Sequence, residues 1–227
     1  QSLVRQASIR SIISDANIYK TAVNSFKLQY SYFPGDIPTA ASFWSGETNG
    51  NGDGLLDFRG DSADTGKSEV SIANHHMSLA NILPGSFEQG QNAGTNNIGY
   101  PSSLGTIILL TSWTIPGAKI LTNNDNAQTN YHATSLKTLT VRVGKPFTFA
   151  INTHAIKSML STAEVISIEN KLDDGFPRQG SISGANDQDN QYDASGYCLD
   201  ASGGFGNEIY DTTDMTSLQC NITFDLY

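Results

Sequence analysis

The chain has 227 residues, of which 38% are hydrophobic and 15% charged, and its 22 acidic against 13 basic side chains give a formal net charge of −9. A chain of this length can bury a core of its own, and the acidic balance argues against a surface that neutralises nucleic-acid phosphates or lies on anionic lipid, so no nucleic-acid partner is predicted. The abundance of Gly and small polar residues is typical of exported, β-rich proteins.

The first predicted element is a long amphipathic helix over residues 2–33. Its apolar residues recur at alternating steps of three and four, which places them on one continuous stripe: Ile9, Ile12, Ala16, Tyr19, Val23, Phe26, Tyr30 and Phe33. Pro34 and Gly35 end the helix. Because the stripe contains aromatic residues and alanine, it favours a helix laid on a sheet over a coiled coil, which prefers leucine and isoleucine.

The segment that follows contains the clearest candidate site. In residues 49–57, oxygen side chains occupy positions 1, 3 and 5 of an EF-hand-like loop, a glycine occupies position 6, and a leucine occupies the apolar position 8. Position 12 is Gly60 instead of a bidentate glutamate, so a nearby aspartate would have to replace it. The pattern predicts a calcium site with these ligands: Asn49, Asn51, Asp53, Leu55, Asp57 and Asp61. The alternative is a turn-rich loop held by side-chain bonds to the backbone.

The remaining elements alternate between helix and strand signals. A second helix is predicted over residues 68–83, and strands over residues 106–113, 118–122, 139–143 and 146–151, with a turn at 123–130. Ser161 and Glu164 have the spacing of a capping box and begin a third helix that runs to Leu172. Residues 180–193 are predicted to form a polar loop, and residues 218–226 a final strand.

These elements predict an α+β fold in one domain, because no linker interrupts the chain. Helices lie at one end and on one face of an antiparallel sheet. Within residues 1–227, the long helix takes 1–33, a helix and loop insertion takes 34–104, and the sheet, the third helix and the C-terminal region take 105–227.

The two cysteines, Cys198 and Cys220, are both near the C-terminus. A reduced pair is the alternative, but the Gly-, Ser- and Asp-rich segment between them favours a disulfide, and therefore an oxidising compartment.

The sequence shows no pattern that selects catalysis. Residues 60–68 resemble a phosphate-binding loop, but five residues separate the two glycines where four are required. The four histidines lack zinc-site spacing, and no nucleophile elbow occurs. The acidic residues Asp187, Asp189 and Asp193 favour a solvated loop. Asp173 and Asp174 could meet a cation, although such pairs at a helix end more often accept turn N–H groups. We therefore expect a protein that is not an enzyme.

Four features resemble the soluble head of the type IV pilins and type II secretion pseudopilins. They are the long helix with its exit Tyr30-Ser31-Tyr32-Phe33-Pro34-Gly35-Asp36, the pair Phe43-Trp44 followed by the Gly, Asn and Asp run, the segment from Ile168 through Asp173-Asp174-Gly175 to Gly180, and the C-terminal cysteine pair. The hydrophobic half-helix of the family, with its processing site, is absent from this sequence.

The resemblance implies a pilin-like fold and a structural role. The chain would be a major or minor pilin, or a pseudopilin, that assembles with other subunits through the helix bearing Ile9 to Phe33. An apolar segment before Gln1 would anchor it in the inner membrane, in a Gram-negative bacterium, before it enters a periplasmic or cell-surface filament. The alternative function is an exported calcium-dependent adhesin or glycan-binding module.

Overall fold

The structure, a computed structural model, describes residues 3–54, 56, 69–87, 100–101, 106–111, 139–146, 156–177, 180–186, 198–200 and 209–226. They confirm an α+β fold with an N-terminal helix and antiparallel strands. The chain divides into two compact units. Unit 1 is Gln1–Thr111 with Thr148–Asn152, and unit 2 is Ser112–Phe147 with Thr153–Tyr227.

Unit 1 begins with the predicted long helix, α1, which spans Leu3–Tyr30. The apolar stripe is its buried face, and the fully buried positions are Ile12, Ala16, Tyr19, Val23 and Phe26. The helix ends at Tyr30, before the predicted end at residue 33, because Ser31 adopts a left-handed conformation with φ 65°. Phe33 therefore belongs to the segment after the helix, and its side chain is buried there.

Two further helices and a two-stranded ladder complete the described part of unit 1. They are α2 (Ala40–Phe43), α3 (Glu69–Leu79), β1 (Tyr100–Pro101) and β2 (Thr106–Thr111), and β1 pairs antiparallel with β2. Helix α3 packs on α1, where the hydroxyl of Tyr19 donates to Oδ1 of Asn74 at 2.5 Å. The predicted second helix is thus confirmed, although it ends at Leu79 and not at residue 83, since Asn81 turns with φ 56°.

Unit 2 is organised around its last strand. Its elements are β3 (Leu139–Pro146), β4 (Ile156–Lys157), β5 (Leu160–Ser161), α4 (Thr162–Leu172), β6 (Ile182–Asn186), β7 (Leu199–Asp200), β8 (Ile209–Tyr210) and β9 (Leu218–Asp225). Strand β9 pairs antiparallel with β6 along one edge and with β3 and β5 along the other, while β4 pairs with β3 and β7 with β8. Its side chains from Cys220 to Phe224 are accordingly buried.

The structure corrects two predictions in this unit. The predicted polar loop over residues 180–193 is wrong at its start, because residues 182–186 form β6 and pair with Cys220 to Phe224. The predicted break between strands 139–143 and 146–151 is also wrong, because β3 continues through Gly144 to Pro146. Residues 147–151, the predicted strand 118–122 and the turn 123–130 lie outside the described residues.

Two local predictions are confirmed, the cap at the start of α4 and the disulfide that includes Cys220 of β9. Ser161 caps α4 and accepts a hydrogen bond from the backbone of Glu164, whose side chain accepts from the N–H of Ser161 at 2.9 Å. Cys198 and Cys220 form the predicted disulfide, and both are 0% exposed. None of the helices in the described ranges is long and apolar enough to cross a bilayer.

Candidate functional site

Of the predicted calcium loop, the structure describes residues 49–54 and Leu56. Asn49 Oδ1 accepts the N–H of Ala41 at 3.0 Å, and Asn51 Oδ1 accepts the N–H of Asp53 at 2.9 Å. Leu55, Asp57 and Asp61 lie outside the described residues. Two of the predicted ligand oxygens are thus already engaged with backbone N–H groups, as in the alternative of a turn-rich loop. Calcium binding by this loop stays a prediction.

Two carboxylates outside the predicted set of calcium ligands hold the loop. Asp36, which is 1% exposed, accepts the N–H of Gly52 at 2.8 Å on Oδ1 and the N–H of Gly54 at 3.0 Å on Oδ2. Glu69, at the start of α3, accepts the N–H of Asn51 at 2.7 Å. Asp36, Asp53 and Glu69 each place one oxygen within 4.8 Å of the others.

The backbone of the loop lies directly against the segment after α1. The N–H of Gly50 donates to the carbonyl of Ile37 at 2.7 Å. A Cβ atom on Gly50 would overlap the backbone of Gly35 and Asp36, so only glycine fits at this position. Burial raises the pKa of Asp36 to about 6, although the N–H groups of Gly54 and Gly52 oppose the rise. The two hydrogen bonds from the loop backbone hold this carboxyl group in its buried position.

His76 has a structural role beside this loop. Its Nδ1 accepts the N–H of Gly35 at 3.2 Å, and its ring stacks on Trp44 with a centroid distance of 5.6 Å. Burial lowers the pKa of His76 to about 4. The neighbouring His75 lies 3.1 Å from a carboxylate oxygen of Glu47. His132 and His154 lie outside the described residues.

The protonation of His76 gives a testable pH dependence. Because its native pKa lies below the ordinary value of 6.5, the unfolded state binds the extra proton. The stability that neutral His76 contributes is therefore fully present above about pH 6.5 and is lost as the pH falls toward 4. We expect the free energy of unfolding of the wild type, relative to a His76→Gln variant, to fall by about 3 kcal/mol over this interval.

Urea unfolding at several pH values measures this difference. The comparison with the variant is needed because Asp36, with its raised pKa, acts in the opposite direction between about pH 4 and 6. Equal pH dependence in wild type and His76→Gln would contradict the assignment.

A second group of carboxylates lies at the end of α4 in unit 2. Asp173 Oδ2 accepts the N–H groups of Ser181 and Ile182, each at 2.6 Å, and Asp174 Oδ1 accepts the N–H of Phe176 at 2.8 Å. These are the turn contacts expected of adjacent aspartates at a helix end. Glu169 was not predicted to lie with them, yet one oxygen of its carboxylate lies within 4.8 Å of one oxygen from each aspartate. The other predicted acidic group, Asp187, Asp189 and Asp193, lies outside the described residues.

Glu169 is joined to two strands through Tyr210. The Tyr210 hydroxyl donates to Glu169 Oε1 at 2.6 Å and accepts the N–H of Gly184 at 3.0 Å. This contact requires glycine in β6, because a Cβ on Gly184 would lie 2.6 Å from the Tyr210 ring. Helix α4 and strands β6 and β8 thus meet at one buried carboxylate.

No known protein family, curated protein or solved structure matches this chain.

Proposed function

We propose that the chain is a structural, non-catalytic subunit of a type IV pilus-like or type II secretion-like filament. The observation that carries the proposal is the division of α1 into two faces. One face is buried in the core of unit 1 over most of the helix, and the helix also keeps large apolar side chains in solvent. The exposed ones are Leu3, Val4, Ile18 and Leu28, with exposed fractions between 52% and 87%.

This arrangement suits a helix that links a globular head to a filament. The stripe from Ile12 to Phe26 attaches the helix to its own head. The opposite face is therefore the one that would contact other subunits. At 3.6 residues per turn, Leu3 and Leu28 lie away from the buried stripe. Burying them against neighbouring subunits would return roughly 25 cal/mol for each Å² of apolar surface removed from water.

The C-terminal disulfide and the turn after α4 also support the proposal. Cys198 and Cys220 close a segment of the C-terminal region onto the central strand of unit 2, and Asp173 and Asp174 hold the turn between α4 and β6. Both features belong to the resemblance with pilin-like heads. In the proposed filament, the head lies on the outside and an inner-membrane segment upstream of Gln1 holds the subunit before assembly.

The upstream gene sequence gives the first test. A short leader followed by about 20 apolar residues directly before Gln1 is the expected result. A conventional cleavable signal peptide in that place would overturn the filament proposal and favour an exported adhesin.

A pair of substitutions in the full-length protein gives the functional test. Ile18→Asp and Leu28→Asp introduce charge on the exposed side of α1, so they should leave the melting temperature of the isolated chain nearly unchanged and abolish filaments seen by electron microscopy of the host. Ile209→Asp, at an exposed apolar residue of unit 2, is the matched control and should leave filaments in place. Normal filaments with both α1 variants would refute the role of this face.

A further inference from the structure

The carboxylate of Glu169 has one oxygen that the fold leaves without a partner. Its side chain is 0% exposed, and Oε1 accepts the Tyr210 hydroxyl at 2.6 Å. Oε2 is buried and has no hydrogen-bond partner in the described part of the chain. A buried polar oxygen without a partner costs on the order of 1–3 kcal/mol, and more if it is charged. A ligand bound at this oxygen would remove that cost.

Two further carboxylates surround Glu169. One oxygen from each of Glu169, Asp173 and Asp174 lies within 4.8 Å of the others. Asp173 Oδ2 and Asp174 Oδ1 accept backbone N–H groups, which leaves the second oxygen of each aspartate for another partner. Within the described ranges, no lysine or arginine forms an ion pair with any of the three. The local negative charge is therefore not balanced by these residues.

We propose that Glu169, Asp173 and Asp174 bind a divalent cation of the calcium class at the end of α4. One carboxylate oxygen from each of the three residues is a protein ligand. An all-oxygen set selects a hard cation, because it offers neither the imidazole nor the thiolate that zinc or copper prefers.

The exposure of the ligands favours calcium. Calcium tolerates irregular oxygen geometry, whereas magnesium demands a near-ideal octahedron, so a site with few protein ligands that lies partly in solvent suits calcium better. Asp174 is exposed and Asp173 half-buried, so water reaches the outer side and completes the coordination.

A bound dication would set a positive charge beside the three carboxyl groups and would favour their ionised forms. The site would also fasten the end of α4 to the turn that leads into β6.

Calcium titration of the purified chain, stripped beforehand with chelator, tests the proposal. Isothermal calorimetry should show calcium binding with a dissociation constant of about 10⁻⁴ M, as expected for a site with few protein ligands. Tb³⁺ should compete for it and emit when tyrosine is excited, because Tyr210 adjoins Glu169. The proposal does not depend on filament assembly, so its failure would leave the proposed function standing.

The variants are chosen to separate ligand loss from misfolding. Glu169→Gln keeps an oxygen for the Tyr210 hydroxyl and replaces the other with an amide donor, so it should weaken calcium binding at least tenfold. Asp174→Asn changes an exposed residue that does not belong to the core, and the same tenfold loss is expected. Asp53→Asn removes a predicted ligand of the loop in unit 1 and tells the two candidate sites apart. Asp214→Asn, at a turn aspartate of unit 2 outside both carboxylate groups, is the matched control and should bind as the wild type does.

Three results would overturn the site. They are the absence of calcium binding at millimolar concentrations, wild-type affinity in Asp174→Asn or in a folded Glu169→Gln, and loss of binding in Asp53→Asn alone. The last result would place the cation at the loop of residues 49–57.

Discussion

Replacement of Phe26 with alanine is expected to lower the free energy of unfolding by about 3–5 kcal/mol. Phe26 is 0% exposed, and its ring centroid lies 4.6 Å from that of Tyr30 and 6.3 Å from that of Trp44. Truncation removes the transfer free energy of the ring and leaves a cavity, which packed aromatic neighbours fill only in part. Alanine is the best helix former, so the loss reports on packing and not on the intrinsic stability of α1.

Urea unfolding followed by circular dichroism measures the effect, and Leu28→Ala is its matched control. Leu28 lies on the same helix but is 87% exposed, so its truncation should change the free energy of unfolding by no more than about 0.5 kcal/mol. The pair compares the two faces of α1 in one experiment. If both variants unfolded at the same urea concentration, the buried stripe would not be the face that holds the helix to unit 1.

Elements with a local signal could be predicted from the sequence. The stripe of α1 is a repeat of steps of three and four, and the cap of α4 needs only Ser161 and Glu164 within one turn. Strand β9 shows its alternating pattern beside Cys220. In each case the information lies within a few residues, which is why these elements appear close to where they were predicted.

Strand β6 shows why other elements were missed. Its sequence, Ile-Ser-Gly-Ala-Asn, has a single large apolar residue and a glycine, which together predict a loop. Its pairing with β9 and the approach of Tyr210 to Gly184 come from residues more than 20 positions away. Tertiary contacts therefore determine this strand, and local propensity could not indicate it.

The same limit applies to the candidate sites. Asn49, Asn51 and Asp53 follow one another in the sequence, so their spacing could be compared with a known loop pattern. Asp36 and Glu69, which hold that loop, come from the exit of α1 and the start of α3, and Glu169 meets Tyr210 across 41 positions. Only the fold brings such residues together, and in both groups the buried carboxylates were the ones that sequence spacing did not reveal.

Removal of the disulfide is the second change that we expect to lower the stability strongly, because the bond links the central strand β9 to a distant segment. In the chain-entropy model, a cross-link between residues 22 positions apart removes freedom from the unfolded chain that is worth about 3 kcal/mol. We expect the double variant Cys198→Ala/Cys220→Ala to lose about that much stability in urea. Both side chains are fully buried, so the variant also loses a small amount of packing.

Reduction separates these two contributions. Wild-type protein reduced in denaturant and refolded with reductant keeps both sulfur atoms in the core and loses only the cross-link. It should therefore unfold at a urea concentration between those of the oxidised wild type and the double variant, while the variant itself should not respond to reductant. If reduction left the wild-type midpoint unchanged, the bond between β9 and the segment at Cys198 would not restrain the unfolded chain. The stability of unit 2 would then come from the pairing of β9 with its neighbours on both edges.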